Sequence, residues 1–158
     1  MQLTRFTDIG LRVVMRLVTA PADTTLTSRD LAAELAVPYT HVAKVVSRLS
    51  ELGIIHSRRG RAGGIAITEL GRSAQVGWLA RRLEGDGEVV DCEGPQPCPL
   101  KGNCRLRGAL AQAQRAFYAS LDEHTIDELT APPTRVTLLN LGKPSRTASS
   151  DVANSDAG

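Results

Sequence analysis

The stretch VPYTHVAKVVSRLSELGIIHSRRGRAGGIAIT, residues 37–68, changes its periodicity halfway along. Up to Gly53, which ends the run, Val42, Val45, Val46, Leu49 and Leu52 recur at helical spacing. Pro38 suits the first turn of this helix, where its missing N–H would be unpaired anyway. The opposite face is polar and carries Tyr39, Thr40, His41, Lys44, Ser47 and Arg48. After Gly53 a pair of β-rich runs, 54–57 and 65–68, flanks a turn holding three glycines and the arginines Arg58, Arg59 and Arg61. That pattern predicts a β-hairpin with a basic tip. The "GRAGG" segment lacks the G-x-G-x-x-G spacing of a dinucleotide loop and lies between strands.

Upstream, "TSRD" offers Thr27 as a cap with Asp30 three residues later, a capping-box pattern that opens a short helix through "LAAEL". Before it, residues 7–20 repeat Ile9, Val13 and Leu17 on one face and predict another helix, broken by Pro21. Two short helices joined by a tight break, followed at once by a basic hairpin, have the order of a winged helix-turn-helix. A helix pair alone is common in α-rich proteins. Arginines at a hairpin tip directly after such a helix point further, to phosphate or minor-groove contact.

Charge agrees with this. Residues 1–72 hold ten Lys/Arg against six Asp/Glu, whereas residues 73–158 hold nine against eleven. The 158 residues suffice for a core without disulfides, built from aliphatic side chains because aromatics make up only 3%. The opening MQLTRFTDIG has no apolar run, and no stretch approaches the roughly 20 apolar residues that span a bilayer. The expectation is a cytoplasmic protein with no membrane partner. Three histidines far apart and no nucleophile motif leave no plausible catalytic set, so an enzyme is not expected.

Downstream, residues 73–84 read as one short helix with Trp78 as a packing residue. The longest helical pattern covers about 105–122, with a stripe of Leu106, Leu110, Ala113, Phe117 and Leu121 whose narrow seam suggests helix pairing in a homodimer. "HTIDEL" begins a small helix capped by Thr125 with Glu128 three residues on. Beyond Pro132-Pro133 periodicity is lost, and from about Lys143 a disordered tail is expected. The fold class is mainly α with a small β-hairpin wing. Its expected organisation is a winged helix-turn-helix over 1–72, a cysteine loop and dimerisation helices over 73–130, and a tail over 131–158.

All three cysteines, Cys92, Cys98 and Cys104, lie in DCEGPQPCPLKGNCRLR, residues 91–107. An odd count in a reducing compartment disfavours a disulfide plus a free thiol. Structural zinc prefers ligand spacers of two to four residues, and here they are five. A thiol-redox pair needs only an attacking and a resolving cysteine. An iron–sulfur cluster holds thiolates at separate iron corners and accepts a wider loop, so the spacing favours it over zinc.

A winged helix, then C-x5-C-x5-C, then a long apolar helix resembles the IscR- and NsrR-type family of iron–sulfur transcription regulators. The segments LTRFTDIGLRVVMRL, VPYTHVAKVVSRLSELGII, RGRAGGIAI and CPLKGNCRL carry the resemblance, which covers roughly residues 1–130. It implies a homodimeric regulator of a palindromic operator in double-stranded DNA, whose binding depends on cluster state. IscR-type members have a histidine three residues after the third cysteine; here Arg107 stands there and cannot coordinate metal. The sequence is more similar to NsrR-type nitric-oxide sensors. For those the resemblance implies a [4Fe–4S] cluster, with [2Fe–2S] as the alternative, held by Cys92, Cys98, Cys104 and Asp8 of the partner subunit. Nitrosylation or loss of that cluster is then expected to release DNA.

Taken alone, Asp8 reads as a cap or dipole partner of the first helix. Asp91, Glu93 and Arg12 (as a donor to the Asp8 carboxylate) are the other local candidates, while His124 reads as an exposed helix-start residue. In the DNA-contacting set, Tyr39, Thr40, His41 and Lys44 are placed at base edges. Arg48, Arg58, Arg59 and Arg61 are placed at phosphates or the minor groove, and Ser28 completes the DNA-contacting set. An iron- or redox-responsive regulator of the same family, or a zinc-stabilised DNA-binding protein without sensing, are the alternatives.

Overall fold

Helix α1 (Arg5–Thr19) opens the chain in the computed structural model, which describes residues 1–21, 24–58, 63–85 and 87–142. It starts two residues ahead of the expected 7–20 because Thr4 caps it, its side-chain oxygen accepting the Thr7 amide at 3.3 Å. Asp8 is therefore a first-turn acid and not the cap. The predicted face of Ile9, Val13 and Leu17 is buried, joined by Val14 and Val18.

The capping box that opens α2 (Ser28–Glu34) is present in both halves: Thr27 Oγ1 accepts the Asp30 amide and Asp30 accepts the Thr27 amide. A tight turn leads to α3 (Tyr39–Glu51), with Ala36 in the left-handed region at φ 53° and the Val37 amide bonded to the Ala32 carbonyl. Pro38 stands just outside α3 as its N-cap, one step earlier than expected, with an extended ψ of 134°. Val42, Val45 and Leu49 are buried, and Val46 and Leu52 pack against the core from its edge. Gly53 leaves α3 at φ +71°, a conformation that side chains other than glycine's resist.

Strands β1 (Ile55–Arg58) and β2 (Gly64–Ile67) form the expected antiparallel hairpin, with Ile55 opposite Ile67 and Arg58 opposite Gly64. Leu26 adds a bridge to Ile65, so the segment before α2 is tied to the wing. Arg59 and Arg61 lie outside the described residues, as does the Arg58 side chain.

The helix expected over 73–84 forms from residue 76, and a further short helix that the sequence reading did not include ends at Ser73. Helix α4 (Glu69–Ser73) is capped by Thr68, and α5 (Val76–Glu84) follows a break at Ala74 and Gln75. The break has a long-range cause: the Val76 amide bonds the His124 carbonyl and the Ile126 amide bonds the Ala74 carbonyl. Neither partner is visible in the local pattern. Helix α6 (Arg105–Leu121) matches its expected span, and α7 (Ile126–Leu129) carries both halves of the Thr125–Glu128 capping box. Past the prolines, where apolar spacing gives no signal, α8 (Thr134–Asn140) forms and packs on α1 with Leu138 buried. The tail expected to be disordered from about 143 lies outside the described residues.

One core runs through these elements. Val13 of α1, Leu31 of α2, Leu49 of α3, Ile54, Leu79 of α5 and Ile126 of α7 are all essentially inaccessible and belong to one cluster. Trp78 packs at its edge beneath the Arg82 guanidinium. Helices α5 and α6 approach closely at Gly77, where an added Cβ would lie 2.1 Å from the Tyr118 carbonyl oxygen and 2.6 Å from an Asp122 carboxylate oxygen. Gly77→Ala is expected to force these helices apart and to destabilise the fold by about 1–3 kcal/mol or more, read as a lower denaturant midpoint. No described helix is long and apolar enough to cross a membrane.

Candidate DNA-reading surface and cysteine centre

The first turns of α3 present Tyr39, Thr40 and Lys44 to solvent, with His41 half-buried beside them. Ser28 opens α2 and is partly exposed. Arg29 of α2 lies over the Tyr39 ring, its guanidinium carbon 5.3 Å from the ring centroid. Arg29 is absent from the candidates read off the sequence. Its only local signal is adjacency to Ser28, and the stacking needs the turn between α2 and α3 to bring the two side chains together.

Arg48 behaves differently from the other polar residues of α3. Its guanidinium bonds Glu51 at 3.1 Å and the Arg82 carbonyl at 3.2 Å, so it ties α3 to the end of α5. The same end of α5 holds the start of α1: Glu84 accepts from the Thr4 amide at 2.6 Å and from its hydroxyl at 3.1 Å. The chain leaves α5 directly into the cysteine loop. Both the reading helix and the Asp8 helix are thus anchored to the segment that leads to the thiols.

In that loop the three cysteines are unpaired; Cys92 is buried at 7% exposure, and Cys98 and Cys104 are partly exposed. The Cys98 amide bonds the Cys92 carbonyl at 3.3 Å, which folds the first spacer back on itself. Cys104 is the N-cap of α6, its sulfur accepting the Arg107 amide at 3.4 Å. The Arg107 guanidinium grips Glu88 through two bonds of 2.7 Å each. The bonded Arg107 holds the Glu88 carboxyl below its usual range. Asp91 accepts the Glu93 amide, and Glu93 is ion-paired with Lys101. A cavity of about 330 Å³ opens beside these groups, lined by Glu88, Cys92, Glu93 and Arg107 among others.

Burial pushes the Cys92 thiol up, and repulsion from Cys98, with a smaller share from Cys104, adds to it. Cys98 and Cys104 are near enough for their charges to bear on Cys92. A metal-bearing body among them would remove that penalty, since it binds thiolates and not thiols. Among the described residues, no three His, Cys, Asp or Glu side chains are gathered tightly enough to hold a metal ion. The donors are all thiols, and most backbone amides of this turn-rich loop are not committed to a helix or strand, a chemistry that fits an iron–sulfur group.

Asp8 lies elsewhere on the chain, where its carboxylate accepts from Arg12 at 2.8 Å and remains 44% exposed. The Arg12 partnership anticipated from the sequence is present. His124 is exposed at the turn into α7 and engages Val76 through its carbonyl.

The chain matches the family model described as "Rrf2: Iron-dependent Transcriptional regulator" over residues 3–132. It is 56% identical over 142 residues to the HTH-type transcriptional repressor NsrR of Streptomyces coelicolor, a match covering 89% of this chain and 96% of that protein. The HTH-type transcriptional regulator NsrR of Halalkalibacterium halodurans is 32% identical over 131 residues, 82% of this chain and 90% of its own length. Among solved structures, CymR (YrzC), the global cysteine regulator of B. subtilis, superposes with a TM-score of 0.61 at 22% identity, over 82% of this chain and 95% of that one. T. potens IscR gives 0.63 at 16% identity, over 82% and 85%. These two likenesses show the winged-helix fold alone. The sequence relatives are named as repressors and regulators, and the chain is not an enzyme. With a winged reading head, a three-thiol loop at the foot of α6 and a family match spanning residues 3–132, this protein belongs to the Rrf2 family as a transcriptional repressor of the NsrR type.

Proposed function

We propose that this repressor binds a palindromic operator as a homodimer and senses nitric oxide through a [4Fe–4S] cluster. Its ligands would be Cys92, Cys98, Cys104 and the partner's Asp8. The observation that carries the reading is the set of three unpaired thiols on one loop, in a chain similar to an NsrR repressor. When bound, the cluster supplies iron that reacts with nitric oxide. Everything else is the work of the chain's own residues.

Cys92 holds from a buried position, and Cys104 holds from the cap of α6, so movement of the loop is felt at that helix. The stripe on α6 is available for a second copy: Leu106 is 65% exposed, and Leu110, Ala113 and Phe117 are at most half-buried within the chain. Pairing of α6 with its copy would carry the partner's Asp8 toward the thiols and set the spacing of the two α3 helices. That spacing has to be about 34 Å for adjacent half-sites, so a small displacement weakens both contacts together. Release of Asp8 acts on α1, and α1 shares its anchor at the end of α5 with Arg48 of α3. Ser28, Arg29, Tyr39, Thr40, His41 and Lys44 would face the bases, and Arg58, Arg59 and Arg61 the phosphates or minor groove. Arg48 would reach a phosphate only with the donors that its two internal bonds leave free.

Anaerobic preparation tests the reading. The expected product carries iron and sulfide, has the native mass of a cluster-bearing dimer, and lets go of its operator on addition of nitric oxide. Asp8→Ala is expected to retain the dimer while weakening cluster retention or altering its visible spectrum. A colourless, iron-poor dimer that grips the operator equally well with and without nitric oxide would refute the proposal.

A further inference from the structure

Three sulfurs on a loop without helix or strand must be kept at fixed separations if they are to receive a rigid inorganic body. Three backbone bonds tighten the interior of the loop, from the Cys98 amide to the Cys92 carbonyl, from the Lys101 amide to the Cys98 carbonyl and from the Asn103 amide to the Leu100 carbonyl. None joins its two ends. The ends are joined by Arg107 on the first turn of α6, nineteen residues after Glu88. Nε and one terminal nitrogen of its guanidinium meet the two Glu88 oxygens at 2.7 Å each, a parallel fork that fixes direction as well as distance. The other terminal nitrogen lies 3.9 Å from Glu93, next in sequence to Cys92, and Glu93 is also paired with Lys101. The backbone amide of Arg107 meanwhile caps onto the Cys104 sulfur. One residue therefore touches the segment before Cys92, the residue after it and Cys104 itself, and it lines the same cavity as Cys92.

We propose that Arg107 is the positioning residue of the cysteine centre. Its grip on Glu88 clasps the two ends of the loop and presents the Cys92 and Cys104 sulfurs at a set separation. It has no ligand role, since a guanidinium offers only donors. The proposal rests on the reading of the three cysteines as cluster ligands. The clasp is 31% exposed on the arginine side and 45% on the glutamate side, and ion pairs at such positions add little to global stability. Its effect is therefore local, and this separates positioning from folding.

The test uses the full chain with Arg107→Gln, Glu88→Gln, the double Gln variant, and the exchange of the two residues, Arg107→Glu with Glu88→Arg. Cluster loss to an iron chelator is followed anaerobically by visible absorbance and native mass, alongside the thermal midpoint. Each single variant is expected to lose the cluster on the order of ten-fold faster, in line with losses seen when residues supporting metal ligands are removed. The double Gln variant is expected to be no faster than either single, the exchange to recover much of the loss, and the thermal midpoint to stay put. Wild-type rates in both singles, or effects that multiply in the double, would overturn the assignment. If the unmodified chain proves to hold no cluster, the reading in the preceding subsection fails. Hydrogen exchange of the cofactor-free chain then decides the clasp: both singles should speed exchange at the Cys98 amide, and unchanged exchange would overturn it.

Discussion

Serine at position 92, 98 or 104 is expected to give a folded chain that retains almost no iron and binds its operator without regard to nitric oxide. A hydroxyl does not ionise at neutral pH, so each replacement removes one anionic ligand while changing side-chain volume little. None of the three cysteines is in a disulfide, so no covalent staple is lost. Cys104→Ser is the most informative of the set. The wild-type sulfur makes a long cap to the Arg107 amide at 3.4 Å, whereas serine is among the preferred N-cap residues. This variant should keep, or raise by a few tenths to about 1 kcal/mol, the stability of the cofactor-free fold while losing the cofactor. Metal analysis and denaturant melts on the same samples read the two effects separately. Full iron in the Cys104→Ser protein would remove that thiol from the ligand set.

Glu34→Ala should produce the largest loss of stability of any single change at a charged residue. Arg16, near the end of α1, and Glu34, the last residue of α2, are joined by bonds of 2.7 and 3.2 Å, with side chains only 6% and 13% exposed. The second terminal nitrogen of Arg16 is buried with no hydrogen-bond partner among the described residues. The guanidinium therefore depends on Glu34 for its compensation. Gly142, just past α8, closes over the pair so tightly that a Cβ there would lie 2.5 Å from a Glu34 oxygen. Removing the carboxylate leaves a buried unpaired cation, at a cost of about 3–5 kcal/mol. For a domain of this size that corresponds to a drop of roughly 6–20 °C in melting temperature. Replacing both partners, as in Arg16→Met with Glu34→Leu, should recover most or all of the loss, because an apolar pair needs no compensation. Calorimetry on the two variants reads the difference, and equal losses would show that shape, and not charge, holds α1 to α2.

Much of this fold was legible because its signals are local. The Thr27–Asp30 and Thr125–Glu128 capping boxes lie within one helical turn, and both formed. The valine and leucine stripe of α3 and the two β-rich runs around the glycine-rich turn of the wing are each read over about fifteen residues or fewer, and both led to the observed elements. The cysteine loop was legible in the same way, since clustering and spacing need no coordinates. Errors arose where backbone partners come from far along the chain. Ala74 and Gln75 would continue a helix but for the 124–126 segment, and α8 has no stripe of its own because most of its support is α1. Arg48 reads as a phosphate or minor-groove contact in the sequence, a reading its internal bonds leave open, and the packing of α5 also brings the Arg82 carbonyl within its reach.

By itself, then, the sequence determined every element but α4 and α8, their order, the winged-helix class and the placing of three thiols between a reading head and a long helix. Apolar periodicity and helix caps act over one or two turns, and they state their result in the order of residues. Tertiary structure alone decided which charges found partners far along the chain: Arg16 with Glu34 in the interior, Arg107 with Glu88 across the loop, Arg29 over Tyr39. An ion pair or a stack is worth something only within a few ångströms, and those distances are fixed by helix packing that no local pattern encodes.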